Sequence, residues 1–137
     1  MTSRVGAAKQ RCMNVLFVFL GGGLGAALRY ALNIGVPRVL GAAFPWHTFI
    51  INVSGCFTMG IITAWLALRP GMAPEWRLFL TTGILGGFTT FSAFSLDFVQ
   101  LFERGDAGQA VIYVAASVLL SIVACFAGLA LTRGLLA

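Results

Sequence analysis

The chain has 137 residues, of which 59% are hydrophobic and only 9% charged, with a mean hydropathy of +0.95. A water-exposed domain carries roughly a quarter charged residues, so this composition excludes an ordinary soluble fold and describes a membrane protein. The net charge of +5 comes from single basic residues at the ends of apolar runs rather than from a basic stripe, which argues against nucleic-acid binding.

Arg4, Lys9 and Arg11 precede the first apolar run, residues 13–34. That order is shared with secretory leaders, but the run is longer than a leader's apolar core. No small-residue cleavage pattern leads into a soluble domain, so a retained first span with its basic end inside is expected. Within it, the stretch GGGLGA at 21–26 can be read as a GxGxxA dinucleotide fingerprint. No acidic residue precedes Glu75, so nothing suits a ribose about 20 residues on, and a small-residue face for close helix packing is the better reading. Arg29 is a cation inside this span, with snorkelling and anion attraction as its two options.

Gly35, Pro37, Arg38 and Gly41 punctuate the connection to the second span, residues 47–68, which is entered through Pro45 and Trp46. It carries Asn52, whose amide can serve as an anion donor or as interhelical glue. Arg69-Pro70-Gly71 closes it. The third span, residues 76–101, contains GILGGFTTFSAFS at 83–95, an oddly polar stretch for a purely lipid-facing helix. Gly86-Gly87 can loosen the helix or bring another helix close. A broken helix at that depth would have to be buried in protein or line a cavity. The fourth span, residues 108–131, carries Tyr113, Ser117 and Ser121, the two serines lying four apart on one face.

Chemistry of other classes lacks its residues. There is one histidine, His47, and four carboxylates, of which only Asp97 falls within a span, so no catalytic constellation can be assembled. Cys12, Cys56 and Cys125 are widely spaced without a CxxC pair and read as three small apolar residues, not a disulfide framework or a zinc site. The donors at membrane depth are amide, hydroxyl and guanidinium, which favour a negative ion. Ring edges of Phe91 and Phe94 can also face an anion, although core packing is the default for such a stripe. A small four-span multidrug-type cation/proton transporter is the alternative. It would need an embedded carboxylate, and spans 1, 2 and 4 have none.

The motifs GGxLGAxLRY in span 1, NVSG in span 2 and GxLGGFTTFSxFS in span 3 resemble the Fluc (CrcB) family of small fluoride channels across essentially the whole chain. The resemblance implies an all-α membrane protein with four transmembrane helices, helix 3 broken at 86–89, assembled as an antiparallel, dual-topology homodimer in a bacterial cytoplasmic (inner) membrane. It implies passive, fluoride-selective export that gives fluoride resistance, and no enzymatic activity. A structural sodium ion would sit at the dimer centre on the backbone carbonyls of Gly86 and Thr89. Phe91 and Phe94 would present ring edges to fluoride, Asn52 would donate to it, and Ser92 and Ser95 would line its path. Arg29 would serve the aqueous vestibule, and Tyr113, Ser117 and Ser121 would be polar positions of span 4 near the pore.

Two features depart from the family pattern. Ala93 stands where FSTFS has a threonine, which removes one hydroxyl and is expected to alter ion handling without abolishing conduction. The charges also lean one way. With the N-terminus inside, Arg4, Lys9, Arg11, Arg69, Arg77 and Arg133 are inner and Arg38 and Arg104 outer. A chain that inserted in one orientation would need a heterodimer with an oppositely biased paralogue.

Overall fold

The computed structural model describes residues 2–136, with side chains from residue 6 onward; the Arg4 side chain counted above lies outside the described residues. Helix α1 spans Thr2–Leu40, α2 Trp46–Ala67 and α6 Ala107–Leu136. Between α2 and α6 the chain forms α3 (Pro74–Leu78), a π-helical segment (Phe79–Leu85), α4 (Gly86–Phe88) and α5 (Phe91–Glu103). Among the described residues there is no strand. Four stretches of them are long and apolar enough to cross a membrane: Gly6–Leu40, Trp46–Ala67, Pro74–Glu103 and Ala107–Leu136.

Helix α1 outruns its apolar core at both ends. Its first turns carry polar side chains that stay exposed from residue 6 onward, which costs a solvated helix little. At the other end Pro37 lies inside the helix, where the sequence suggested a connection. A proline there removes one backbone bond, and the helix runs on for one turn before Gly41 ends it. Gly41 has φ +80° and gives its N–H to the Pro37 carbonyl at 3.0 Å, a left-handed stop that suits glycine. At the foot of α2, Arg77 reaches back from α3. Its Nη2 donates to the carbonyls of Leu66 (3.1 Å), in the last turn of α2, and of Arg69 (2.7 Å), just beyond it, setting a cation at the C-terminal end of that helix.

Two glycine seams set the packing. Gly21 and Gly25 lie four apart in α1 and face the π-helical segment. A Cβ on Gly21 would meet the Phe79 carbonyl oxygen, and one on Gly25 the Ile84 carbonyl oxygen. Gly87 closes the same seam against the Gly22 backbone. The second seam joins α2 to α6, the most extensive helix pair in the chain, where Gly60 meets the Cys125 backbone and Gly128 the Phe57 backbone. Small residues let these backbones approach where no hydrophobic drive exists between helices in lipid.

The third membrane stretch leaves helical geometry at two threonines. Gly86 keeps φ −65° and ψ −36°, and residues 86–88 are helical, so the glycine pair is not where the backbone turns out. Thr89 (φ −74°, ψ 157°) and Thr90 (φ −153°, ψ 122°) are extended, and α5 starts at Phe91. The glycines serve contact instead, Gly87 directly against α1.

The seams make a prediction. Gly25→Val and Gly87→Val should each lower the thermal midpoint in detergent, by overpacking that costs about 1–3 kcal/mol. Gly23→Ala, on an exposed face with open space around its would-be Cβ, should leave the midpoint unchanged or slightly raised.

Candidate functional site

The extended pair at 89–90 leaves backbone groups that a continuous helix would have satisfied, and Asn52 on α2 meets them. Its Nδ2 donates to the Thr90 carbonyl at 3.0 Å, and its Oδ1 accepts from the Thr90 N–H at 2.9 Å. The two bonds fix which way the amide points, since each end has a partner of the required kind. One Nδ2 hydrogen is still free to serve another acceptor. Thr90 caps α5 with its own side chain, which accepts from the Ala93 N–H at 3.2 Å, and its Oγ1 lies 3.3 Å from the Ser92 hydroxyl. Thr89 folds its hydroxyl back onto the Leu85 carbonyl at 2.9 Å.

Beside this corner an open groove of about 300 Å³ runs between α2, α5 and α6. Asn52, Cys56, Thr89, Thr90, Phe91, Phe94, Ser117, Val118, Ser121 and Ile122 form its walls. Helices α2 and α6 run in the same direction here and present matching four-residue rows. Thr48, Asn52, Cys56 and Gly60 on one face Tyr113, Ser117, Ser121 and Cys125 on the other. Ser117 is 3% exposed, and neither its hydroxyl nor that of Ser121 has a hydrogen-bond partner. Unpartnered hydroxyls in a groove are places where a ligand or water gains a bond at no cost to the protein.

The aromatic residues divide. Phe94 is 8% exposed and packs at a tilt against Tyr113 with ring centroids 5.2 Å apart, whereas Phe91 is 78% exposed at the groove's edge, its ring centroid 5.5 Å from that of Phe94. Tyr113 is fully buried and donates its hydroxyl to Asp97 at 3.1 Å. A second, smaller hollow of about 50 Å³ lies beyond it, walled by His47, Asp97 and Arg104 among others.

Of the residues singled out in the sequence, Asn52, Phe91, Phe94, Ser117 and Ser121 come together in the groove, with Thr89 at its wall and Tyr113 behind Phe94. Ser92, Ser95 and Arg29 do not line it. Ser92 is exposed beside Thr90, Ser95 donates to the Phe91 carbonyl at 2.9 Å, and Arg29 is half-buried on α1. Sequence reasoning missed Thr90, the partner of Asn52, and Cys56, which it treated as filler. The four-residue spacing of Thr48, Asn52 and Cys56 was a signal that could have placed Cys56 on the Asn52 face.

A family model described as CrcB-like protein, Camphor Resistance (CrcB), matches residues 16–129. The chain belongs to the CrcB family. Its relatives include a protein of Nitrobacter hamburgensis named fluoride-specific ion channel FluC 2, 56% identical over 90% of this chain and 99% of its own length. Proteins of Rhodopseudomonas palustris (57% identical, 90% and 99% covered) and Rhizobium etli (50% identical, 90% and 98% covered) are each named fluoride-specific ion channel FluC. With its four long apolar helices, this CrcB chain is a multi-pass membrane protein.

Asn52→Ala would leave the Thr90 N–H and C=O without side-chain partners, at about 1–3 kcal/mol for each group left unpaired. The expected outcome is a clearly lowered thermal midpoint in detergent. Asn52→Asp keeps the acceptor for the Thr90 N–H but sets a carboxylate oxygen against the Thr90 carbonyl, so it too should lower the midpoint.

Proposed function

We propose that this CrcB chain is a passive, fluoride-selective channel of a bacterial inner membrane, which lets cytoplasmic fluoride leave down its electrochemical gradient. The observation that carries the reading is the groove itself. Its polar wall consists of neutral donors at Asn52, Ser117 and Ser121, in a chain 50–57% identical to proteins named as fluoride-specific channels. Fluoride enters a cell as the weak acid HF and ionises inside, so an open, selective pore suffices to discharge it. A small anion that sheds water needs replacement donors at short range. The two unpartnered serine hydroxyls and the free Nδ2 hydrogen of Asn52 are such donors, and they carry no counter-charge that would trap the ion. Phe94, held by Tyr113, would give the path a fixed apolar wall whose ring edge bears partial positive charge.

The reading extends to assembly. Phe91 leaves 78% of its surface uncovered next to the groove, which suits completion of the path by a second copy in an antiparallel homodimer. The extended pair at 89–90 takes the part of the break in helix 3. In a continuous helix the N–H of Thr90 would serve the Gly86 carbonyl, and that of Ala93 the Thr89 carbonyl. Here they go to Asn52 Oδ1 and Thr90 Oγ1. Gly86 and Thr89 are thereby left with hard, neutral oxygen donors of the kind that fits a sodium ion, and bound sodium would supply fixed positive charge there. No observation favours the small multidrug-type transporter.

Purified protein in liposomes with a fluoride electrode tests the function. Fluoride efflux without matching chloride efflux is the expected outcome; equal chloride efflux, or none of either ion, would sink the reading. Phe94→Ile should lower fluoride flux by about tenfold or more, equivalent to a barrier raised by ~1.4 kcal/mol. Replacing sodium with N-methylglucamine should weaken the dimer, read as mass by light scattering.

A further inference from the structure

The second hollow, of about 50 Å³, lies at a membrane face. His47 stands at the start of the second membrane stretch and Arg104 directly follows the third, and both line it. One wall is a single stripe of α5 and its C-terminal cap: Asp97, Gln100, Leu101 and Arg104, at i, i+3, i+4 and i+7. Pro45 and His47, where α2 begins, form the facing wall. Helix α2 starts without a side-chain cap, so its positive end is free to act on the hollow. The volume exceeds the ~10–15 Å³ that one water needs, so a small ion with a little water fits. Two observations join this hollow to the groove. The Asp97 carboxylate in its wall accepts from the Tyr113 hydroxyl at 3.1 Å, and Tyr113 packs against Phe94 in the groove's wall. On α2, Thr48 follows His47 of the hollow and precedes Asn52 of the groove by one turn. It is 1% exposed, and its hydroxyl has no hydrogen-bond partner.

We propose that this hollow is a second fluoride site at the mouth of the path, where Arg104 and His47 hold the ion between the groove and open water. The site rests on the channel reading. Arg104 brings a fixed positive charge and a fan of N–H donors, His47 a ring N–H in either tautomer, and Gln100 an amide. Asp97 stands on the Tyr113 side with Oδ2 taken up by that hydroxyl, and its negative charge opposes a long stay. Opposed signs in one wall suit a transit site, which must draw an ion in and still release it. The groove's own donors are neutral. A full cation at membrane depth would trap the ion, whereas at the mouth, in reach of water and salt, it attracts without trapping.

Full-length protein in liposomes with a fluoride electrode tests the site, with initial flux followed from low to saturating fluoride. Arg104→Gln should cut flux at low fluoride by about tenfold, the worth of one charge-assisted hydrogen bond, and keep flux at saturation within about twofold of the parent. His47→Leu should cut low-fluoride flux by about threefold, and His47→Gln, which keeps an N–H donor, should lose less. Arg38→Gln removes an exposed cation from the last turn of α1, at the same membrane face but outside the hollow. Its low-fluoride flux should stay within about twofold of the parent. An equal drop in Arg38→Gln would assign the effect to surface charge at large and overturn the proposal. So would unchanged low-fluoride flux in both Arg104→Gln and His47→Leu, or a loss in Arg104→Gln that is the same at low and saturating fluoride. Absent flux in the parent protein would overturn the channel reading itself, and this site with it.

Discussion

Everything around the groove depends on how two backbone groups at Thr90 are satisfied. Inside a bilayer there is no water to take a stray N–H or C=O, so an extended residue must find protein partners or the chain stays helical. The Asn52 amide supplies a donor and an acceptor at once, at 3.0 and 2.9 Å, from a helix 38 residues earlier. An amide is suited to this because both its ends are needed and neither is charged. A carboxylate or a hydroxyl at Asn52 would leave one of the two groups unmet or bring a charge into the membrane. The side chain proposed to meet the ion is therefore also the one that holds the backbone corner, and the two roles share a single amide with one hydrogen to spare.

The glycine seams hold that corner from the other side. Gly87 sits on the Gly22 backbone and Gly25 on the Ile84 carbonyl, so the residues leading into the extended pair are clamped to α1 while Asn52 holds the pair to α2. The α2–α6 seam, closed by Gly60 and Gly128, in turn fixes the spacing of the two rows that carry Asn52, Cys56, Ser117 and Ser121. Backbone contacts of this kind cannot be adjusted by a rotamer change, which gives the groove walls a fixed separation.

Composition and periodicity made the four apolar helices legible, because long uncharged runs between basic residues leave little choice in a bilayer. The family motif pointed to Phe94, Asn52, Ser117 and Ser121, and the structure brings these four together around one groove. The rest depended on contacts between distant segments. Nothing local in the FTTFS stretch says that Thr90, not the glycine pair, leaves the helix, because the stabilising partner is Asn52. Pro37 and Gly41 likewise read as one connection, although the helix tolerates the first and stops only at the second. Cys56 looked like filler because a cysteine in an apolar run carries no charge or periodic signature; its meaning comes from what faces it on α6.

The bonds that hold the corner all lie within one chain. Asn52 to Thr90, Thr90 to Ala93 and Thr89 to Leu85 need no second subunit to form. A newly inserted copy can therefore complete its non-helical backbone on its own, and in the proposed dimer it would be a finished half. Assembly of that dimer would then be a meeting of two preformed surfaces rather than a joint folding event. A copy in either orientation would carry the same corner, ready before it has met its partner.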